Sequence, residues 1–451
     1  MRIHLIAIGG SAMHNLAIAL KETGHQVTGS DDEIFEPSKS RLKNHGLLPE
    51  ADGWDIKRIN REIDFIILGM HARADNPELL EATALNIPVF SYPEYIYQHS
   101  KSKKRVVVGG SHGKTSITSM ILHVMHKCGL KPDYLVGAQL KGFNTMVKLS
   151  DEAKVMIIEG DEYLSSPIQR IPKFHLYKPD IAVISGIAWD HINVFPTFED
   201  YVAQFQIFTQ VVTEHGVLIY NQTDDEVKKV AKDAPSHLQQ IAYGIHPYRI
   251  ERGITYLIHY NKETAIQVFG KHNLQNISAA YHVCKLLEIK DDEFYAAISS
   301  FEGAAKRLEK VGEGEGYIIF KDFAHSPSKL MATIDAVKEQ FPDKKLIACM
   351  ELHTFSSLNE TFLNEYNGCM KNADEALVYY SPHTVEHKKL KAISKSGILD
   401  AFGTGNLEIF DDSQEMVNSL KRRDFANTVL LMMSSGNFDG LDLNALPELL
   451  I

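Results

Sequence analysis

The chain is poor in cysteine: Cys128, Cys284, Cys349 and Cys369 are its whole complement in 451 residues. They are scattered, with no C-x-x-C pair, which excludes a disulfide framework and a zinc knuckle and implies buried thiols in a reducing compartment. No apolar run approaches 18 residues, so no membrane span is expected. Basic residues are outnumbered by acidic ones, 47 to 58, for a formal charge of −11. That balance argues against a nucleic-acid partner, which wants a basic face. Repeats of 20–50 residues and low-complexity tracts are also missing. The opening MRIHLIAIGG is apolar only briefly before its glycines, and reads as a first strand rather than a signal peptide. Together these absences point to the cytoplasm.

What is present is ordinary globular material, 44% hydrophobic and 23% charged. At this length two or three domains are expected. Strand-like runs alternate with helical patterns from the start: IHLIAIGG, HQVTGSDD, DFIILGM (64–70) and IPVFS (87–91), with SAMHNLAIALKETG as a helix stopped by Gly24. A second unit opens with RVVVGG and continues through KVMIIEG (154–160), DIAVISGI (180–187) and GVLIYN (216–221). Short strands with turns follow over 239–271, then a helix over 272–289. YIIFKDFA, KLIACME, EALVYYS and TVLLMMSSG are the strands of a third unit. Strand–helix alternation implies parallel βαβ units. The expected fold is α/β in three consecutive domains, 1–102, 103–304 and 305–451. The first and last are Rossmann-like, and the middle one is a parallel sheet of the P-loop ATPase kind.

GGSHGKTS (109–116) stands between the apolar run Val106, Val107, Val108 and a helix with Ile117, Met120, Ile121, Val124 and Cys128 on one face. Glycines there let backbone N–H groups converge on an anion, and the helix adds its partial positive end. Lys114 supplies a full charge for β/γ-phosphates, and Thr115, or less readily Ser116, offers a hydroxyl to magnesium. The spacing is shorter than that of the usual P-loop. Magnesium wants hard oxygens, and VMIIEGDE ends a strand with Glu159, Asp161 and Glu162. Trp189-Asp190-His191 ends another. All three sites fall at strand ends of one domain, the edge where open α/β sheets bind ligands.

GSHGKTS, EGDE, the Asp190–His191 pair, GKHNLQNISAA (270–280), KRLE (306–309) and KDFAHSP (321–327) occur in the order found in the Mur ligases, and the chain resembles that family over essentially its whole length. The resemblance implies an ATP-dependent amide ligase of peptidoglycan metabolism. GGSAMHNLA (9–17), GSDD (29–32) and HARADNPE (71–78) resemble the first domain of the branch that acts on UDP-N-acetylmuramate. EGDEY, FKDFAHSP and MSSGNFDG (433–440) favour the tripeptide L-alanyl-γ-D-glutamyl-meso-diaminopimelate over L-alanine as the amine. Many Mur ligases carry a carbamylated lysine downstream of the Asp-His pair. This chain has no lysine between Lys178 and Lys228, as in the muramate-accepting branch.

The resemblance also distributes roles. ATP falls to Gly110, Ser111, His112, Gly113, Lys114, Thr115, Ser116, Asn273, Arg307 and Asp322, with Asn273 at the adenine and the last two reaching the nucleotide from the third domain. Catalysis falls to Lys114, Glu159 and His191, and magnesium to Thr115, Glu159 and His191. The UDP-sugar falls to Gly9, Gly10, Ser11, Ala12, Met13, Asp31, His71 and Ala72. Ala12 stands where the family has a third glycine, and Ser326 where it has a second histidine. ELHTFSS (351–357) lacks the family's arginine, and residues 306–451 hold only Arg307, Arg422 and Arg423. His325, Lys329 and His353 are therefore expected to meet the amine substrate. The expected partners are small molecules alone. A nicotinamide oxidoreductase built on Gly9-Gly10 is the rival of another class, but the loop lacks the full G-x-G-x-x-G. A binding protein descended from a ligase is the third reading.

Overall fold

We describe a computed structural model of the chain, covering residues 1–138, 143–166, 168–189, 194–303, 307–403 and 405–450. Residues group into two units: Met1–Gly244 with Asn276–Ala297, and Ile245–Gln275 with Ile298–Ile451.

In the first unit, four short strands are β1 (Arg2–Ile6), β2 (Gln26–Ser30), β3 (Phe65–Leu68) and β4 (Val89–Ser91). They pair in parallel in the order β2-β1-β3-β4. β3 is buried along its whole length, as an apolar run covered on both faces must be. The helix Ser11–Glu22 crosses from β1 to β2 and buries Leu16, Ala17, Ile18 and Leu20. The order reverses at β1, so the Gly9-Gly10 turn opens into a strand-end crevice.

The same unit holds β5 (Lys104–Gly109), β6 (Asp133–Leu135), β7 (Val147–Lys148), β8 (Val155–Glu159), β9 (Ile181–Ile184), β10 (Val217–Asn221) and β11 (Gln239–Tyr243). Their order is β11-β10-β9-β5-β8-β6-β7, with β7 the antiparallel edge. β5 lies centrally, flanked by β8 on one side and β9 on the other. The carboxyl ends of these three strands carry GSHGKTS, EGDE and the segment leading to Trp189, so the three sequence signals converge by register. Asp190 and His191 lie outside the described residues.

The second unit contains an antiparallel sheet of β12 (Tyr248–Glu251), β13 (Ile254–His259) and β14 (Lys262–Ile266). Its other sheet comprises β15 (Glu309–Glu313), β16 (Tyr317–Asp322), β17 (Lys345–Leu352), β18 (Glu375–Tyr380), β19 (Leu407–Phe410) and β20 (Thr428–Met433). The order is β15-β16-β20-β17-β18-β19, parallel except for β15. The two sheets are tied through the helix Pro327–Gln340: Gln340 accepts from Thr255 at 2.9 Å and donates to the Gly253 carbonyl at 2.6 Å. The short strands expected over 239–271 thus divide. β11 completes the central sheet, while residues 245–275 group with the C-terminal residues.

Candidate active site

The turn after β5 requires its glycines. Gly110 has φ +135° and Gly113 φ +80°, values that side chains rarely adopt. A Cβ on Gly110 would lie 2.2 Å from Ser185 Oγ, and one on Gly113 2.6 Å from Asn276 Oδ1. The turn is pinned to β9: Ser111 N donates to the Gly186 carbonyl at 2.9 Å, and Ser185 Oγ donates to the carbonyls of Gly109, at 3.1 Å, and His112. Asn221 Nδ2 holds the Ser185 carbonyl at 3.0 Å. The helix Lys114–Lys127 then starts from Gly113 with no side-chain cap. No capping hydroxyl takes its first-turn N–H groups, a geometry that suits an anion.

Lys114 Nζ donates to the Gly110 carbonyl at 2.6 Å and to Glu162 Oε2 at 2.7 Å. Burial alone would lower its pKa, but Glu162, Asp161 and Glu159 raise it above the ordinary value, so the ammonium is firmly charged. Glu162 is itself completely buried and also accepts from Tyr201 Oη at 3.1 Å. Glu159 accepts from Thr115 Oγ1 at 2.8 Å and from Gly137 N at 2.7 Å. Burial pushes its carboxyl up, against the opposing pull of those two donors and of Lys114. Asp161 differs. Burial would raise it, yet Lys173, at 2.5 Å, and Lys114 hold it at about 2.

Thr115 Oγ1 and Glu159 Oε1 are two hard oxygens side by side at the mouth of a phosphate-type turn, a donor set that fits magnesium. Among the described residues no three His, Cys, Asp or Glu side chains gather as a metal site, so phosphate oxygens would complete such a shell. The third expected ligand, His191, is outside the described residues.

In the first sheet, Asp31 stands directly after β2, where its Oδ2 accepts from Gly9 N at 2.7 Å and its Oδ1 from Asp32 N at 3.0 Å. Burial, with Asp32 beside it, raises its pKa to about 6. Gly9, Gly10 and Ser11 share that strand end, with Ser11 and Ala12 exposed. His71, exposed, follows β3. Met13 and Ala72 are buried in apolar clusters. Asn15 Oδ1, on the helix Ser11–Glu22, accepts from Met146 N at 3.0 Å, and Arg41, on the helix Ser38–Asn44, reaches the Asn144 carbonyl at 3.0 Å, so the segment leading into β7 packs on both helices.

The remaining predicted residues lie in the second unit. Asn273 donates to the Phe269 carbonyl at 2.9 Å. The Arg307 guanidinium sits 4.8 Å over the Phe323 ring. Asp322 accepts from Leu308 N at 2.6 Å and Ala324 N at 2.7 Å, and burial raises its pKa despite Arg307 nearby. His325 bonds the Phe323 carbonyl at 2.7 Å, and Lys329 is half-buried on the helix Pro327–Gln340. His353 follows β17, beside buried Glu351.

Sequence reasoning left Gly137, Ser185, Tyr201 and Glu351 out of the site. Glu162, by contrast, is marked in the sequence by the acids Glu159 and Asp161 just before it. The rest are contacts between distant segments.

Three family models match in succession: "Mur ligase family, catalytic domain" over residues 2–104, "Mur ligase middle domain" over 108–284, and "Mur ligase, glutamate ligase domain" over 306–436. The chain is 30% identical to a UDP-N-acetylmuramate–L-alanine ligase of Clostridium acetobutylicum, over 97% of this chain and 95% of that one. It is 25% identical to the UDP-N-acetylmuramate–L-alanyl-γ-D-glutamyl-meso-2,6-diaminoheptandioate ligase of Escherichia coli K12, over 100% and 98%. In fold it resembles the crystal structure of a murein peptide ligase from Psychrobacter arcticus, with TM-score 0.65 and 20% identity over 100% and 98% of the two chains.

Proposed function

The chain belongs to the Mur ligase family and is an ATP-dependent amide ligase of the peptidoglycan pathway, and from that premise we propose that it joins the lactyl carboxylate of UDP-N-acetylmuramate to the amine of L-alanyl-γ-D-glutamyl-meso-diaminopimelate in peptidoglycan recycling. EGDEY, FKDFAHSP and MSSGNFDG support the tripeptide. The second reading, L-alanine as the amine, is supported by the 30% identity to the Clostridium enzyme.

A carboxylate is inert to amines until one oxygen becomes a leaving group. The observation that carries the chemistry is Lys114, charged and bridging Gly110 and Glu162 at the floor of the glycine turn. In this reading the N–H groups after Gly110 grip the phosphates. Lys114 neutralises the γ-phosphoryl as it passes to the lactyl carboxylate, and Asp31 and His71 hold the UDP-sugar. Such transfer needs positioning and charge neutralisation more than covalent help. Thr115 and Glu159 would hold magnesium, which when bound offsets phosphate charge. Glu162 keeps the Lys114 ammonium aimed while the turn is empty of anion.

The test is phosphate release from ATP with UDP-N-acetylmuramate, magnesium and either amine, with product mass. The tripeptide should give the higher kcat/KM. A higher value for L-alanine selects the second reading, and no release with either amine overturns both.

A further inference from the structure

Tyr201 is fully buried on the helix Phe198–Gln210, its ring packed against Phe195 and Phe205 at centroid distances of 5.5 and 5.3 Å. Its hydroxyl stands between two parts of the candidate site. It donates to Glu162 Oε1 at 3.1 Å and lies 2.9 Å from Ser111 Oγ. These bonds run in one direction. As the carboxylate partner of the Lys114 ammonium, at 2.7 Å, Glu162 can only accept. The single tyrosine proton therefore points at Glu162, and the tyrosine oxygen accepts the proton of Ser111. Ser111 Oγ in turn accepts from Ala188 N at 2.8 Å, and the Gly186 carbonyl, at 3.4 Å, is the longer alternative for its proton. The order is Ala188 N to Ser111 to Tyr201 to Glu162, with Lys114 closing the far end. All five residues belong to the first unit.

We propose that Tyr201 is a positioning residue for phosphoryl transfer: one hydroxyl fixes Glu162 against Lys114 on one side of the glycine turn and Ser111 on the other. The inference rests on the ligase reading above. Lys114 spends two of its three N–H donors on Glu162 and the Gly110 carbonyl, which leaves the third for a phosphate oxygen. A charge stabilises a transition state at full strength only when it is aimed beforehand. An ammonium on a flexible four-carbon stem does not hold one direction unaided, so its carboxylate partner must itself be fixed. The tyrosine proton does this, and the buried ring packing fixes the tyrosine. With that donor removed, the Glu162 carboxylate holds the ammonium harder and less directionally, and Lys114 gives less of its charge to the phosphoryl in transfer. Chains of bonds of this kind act as a unit, and paired substitutions reveal them.

The experiment measures phosphate release by full-length wild type, Tyr201→Phe, Glu162→Gln and the double variant, with ATP, magnesium, UDP-N-acetylmuramate and either amine. Thermal melting and calorimetric binding of UDP-N-acetylmuramate show that each variant is folded. Tyr201→Phe keeps the ring packing and should lower kcat about tenfold, less than the roughly 100- to 1000-fold of losing a direct contact to the reacting group. The ATP KM should change less than kcat. Glu162→Gln should lower kcat at least as far. Because the tyrosine acts through Glu162, the double variant should fall no more than about twofold below Glu162→Gln, where an independent role would cost about tenfold more. Deficits that multiply, a wild-type kcat in Tyr201→Phe, or a raised ATP KM with kcat unchanged each overturn the proposal and leave the ligase reading intact. Should Tyr201→Phe fail to fold, Ser111→Ala takes its place beside Glu162→Gln, and the same failure to multiply is required. A wild type that releases no phosphate with either amine overturns that reading, and this inference with it.

Discussion

At the scale of single residues, the glycine turn explains most of what the site can do. Gly110 is excluded from substitution twice, by its φ of +135° and by Ser185, whose Oγ and backbone N would lie 2.2 and 3.0 Å from any Cβ. Forcing a side chain into such a conformation costs about 1–3 kcal/mol. The Ser185 contacts are to backbone as well as side chain, so relaxation would pull the turn off β9. Gly110→Ala should therefore raise the ATP KM at least tenfold and lower Tm, measured by phosphate release and thermal melting. Wild-type ATP kinetics in that variant would show that the turn does not hold the phosphates. Glu159 and Asp161 make the same point with opposite signs. Two residues apart on one strand end, one carboxyl is pushed up mainly by burial while the other is held near 2 by Lys173 and Lys114. Spacing along the chain does not set these values; the neighbours that folding supplies do.

At the scale of elements, one of the joins between the first and central sheets is a buried charge group. Asp133, fully buried on β6, accepts from Lys103 Nζ at 2.5 Å, His99 Nε2 at 2.9 Å and Ser150 Oγ at 2.8 Å. His99 lies on the helix Tyr92–Ser100 that follows β4, so the carboxylate ties that helix to the central sheet. Removing one partner of a buried pair leaves the other charge without compensation, at about 3–5 kcal/mol. Asp133→Ala should accordingly lose stability of that order in urea unfolding, whereas Asp133→Asn, which keeps part of the hydrogen bonding, should lose less. Equal stability of all three proteins would mean that Lys103 finds water instead.

At the scale of the whole molecule, the first sheet and the central sheet each present a glycine turn at a strand-end crevice, one for each nucleotide in the proposed reaction. They differ in charge. The first is lined by Asp31, raised to about 6, and the second by the Lys114 ammonium. Lys114→Ala should cost about 2–4 kcal/mol of transition-state stabilisation, roughly 30- to 1000-fold in ATP turnover. It should leave the affinity for UDP-N-acetylmuramate, read by calorimetry, within about twofold. Parallel loss of both would show that the two turns do not act as separate sites.

Much of this was legible in the amino-acid order. The glycine turn between strand and helix, the strand ends bearing Glu159 and Asp31, the α/β alternation and the family could all be read, because each depends on local periodicity or on residues that adjoin in the chain. The partners of those residues could not be read. Glu162 on Lys114, Gly137 N on Glu159, Ser434 on Glu351, and the grouping of residues 245–275 with the C-terminal sheet are meetings between segments far apart in sequence. Register and burial determine them, and no local pattern encodes which buried acid will face which base.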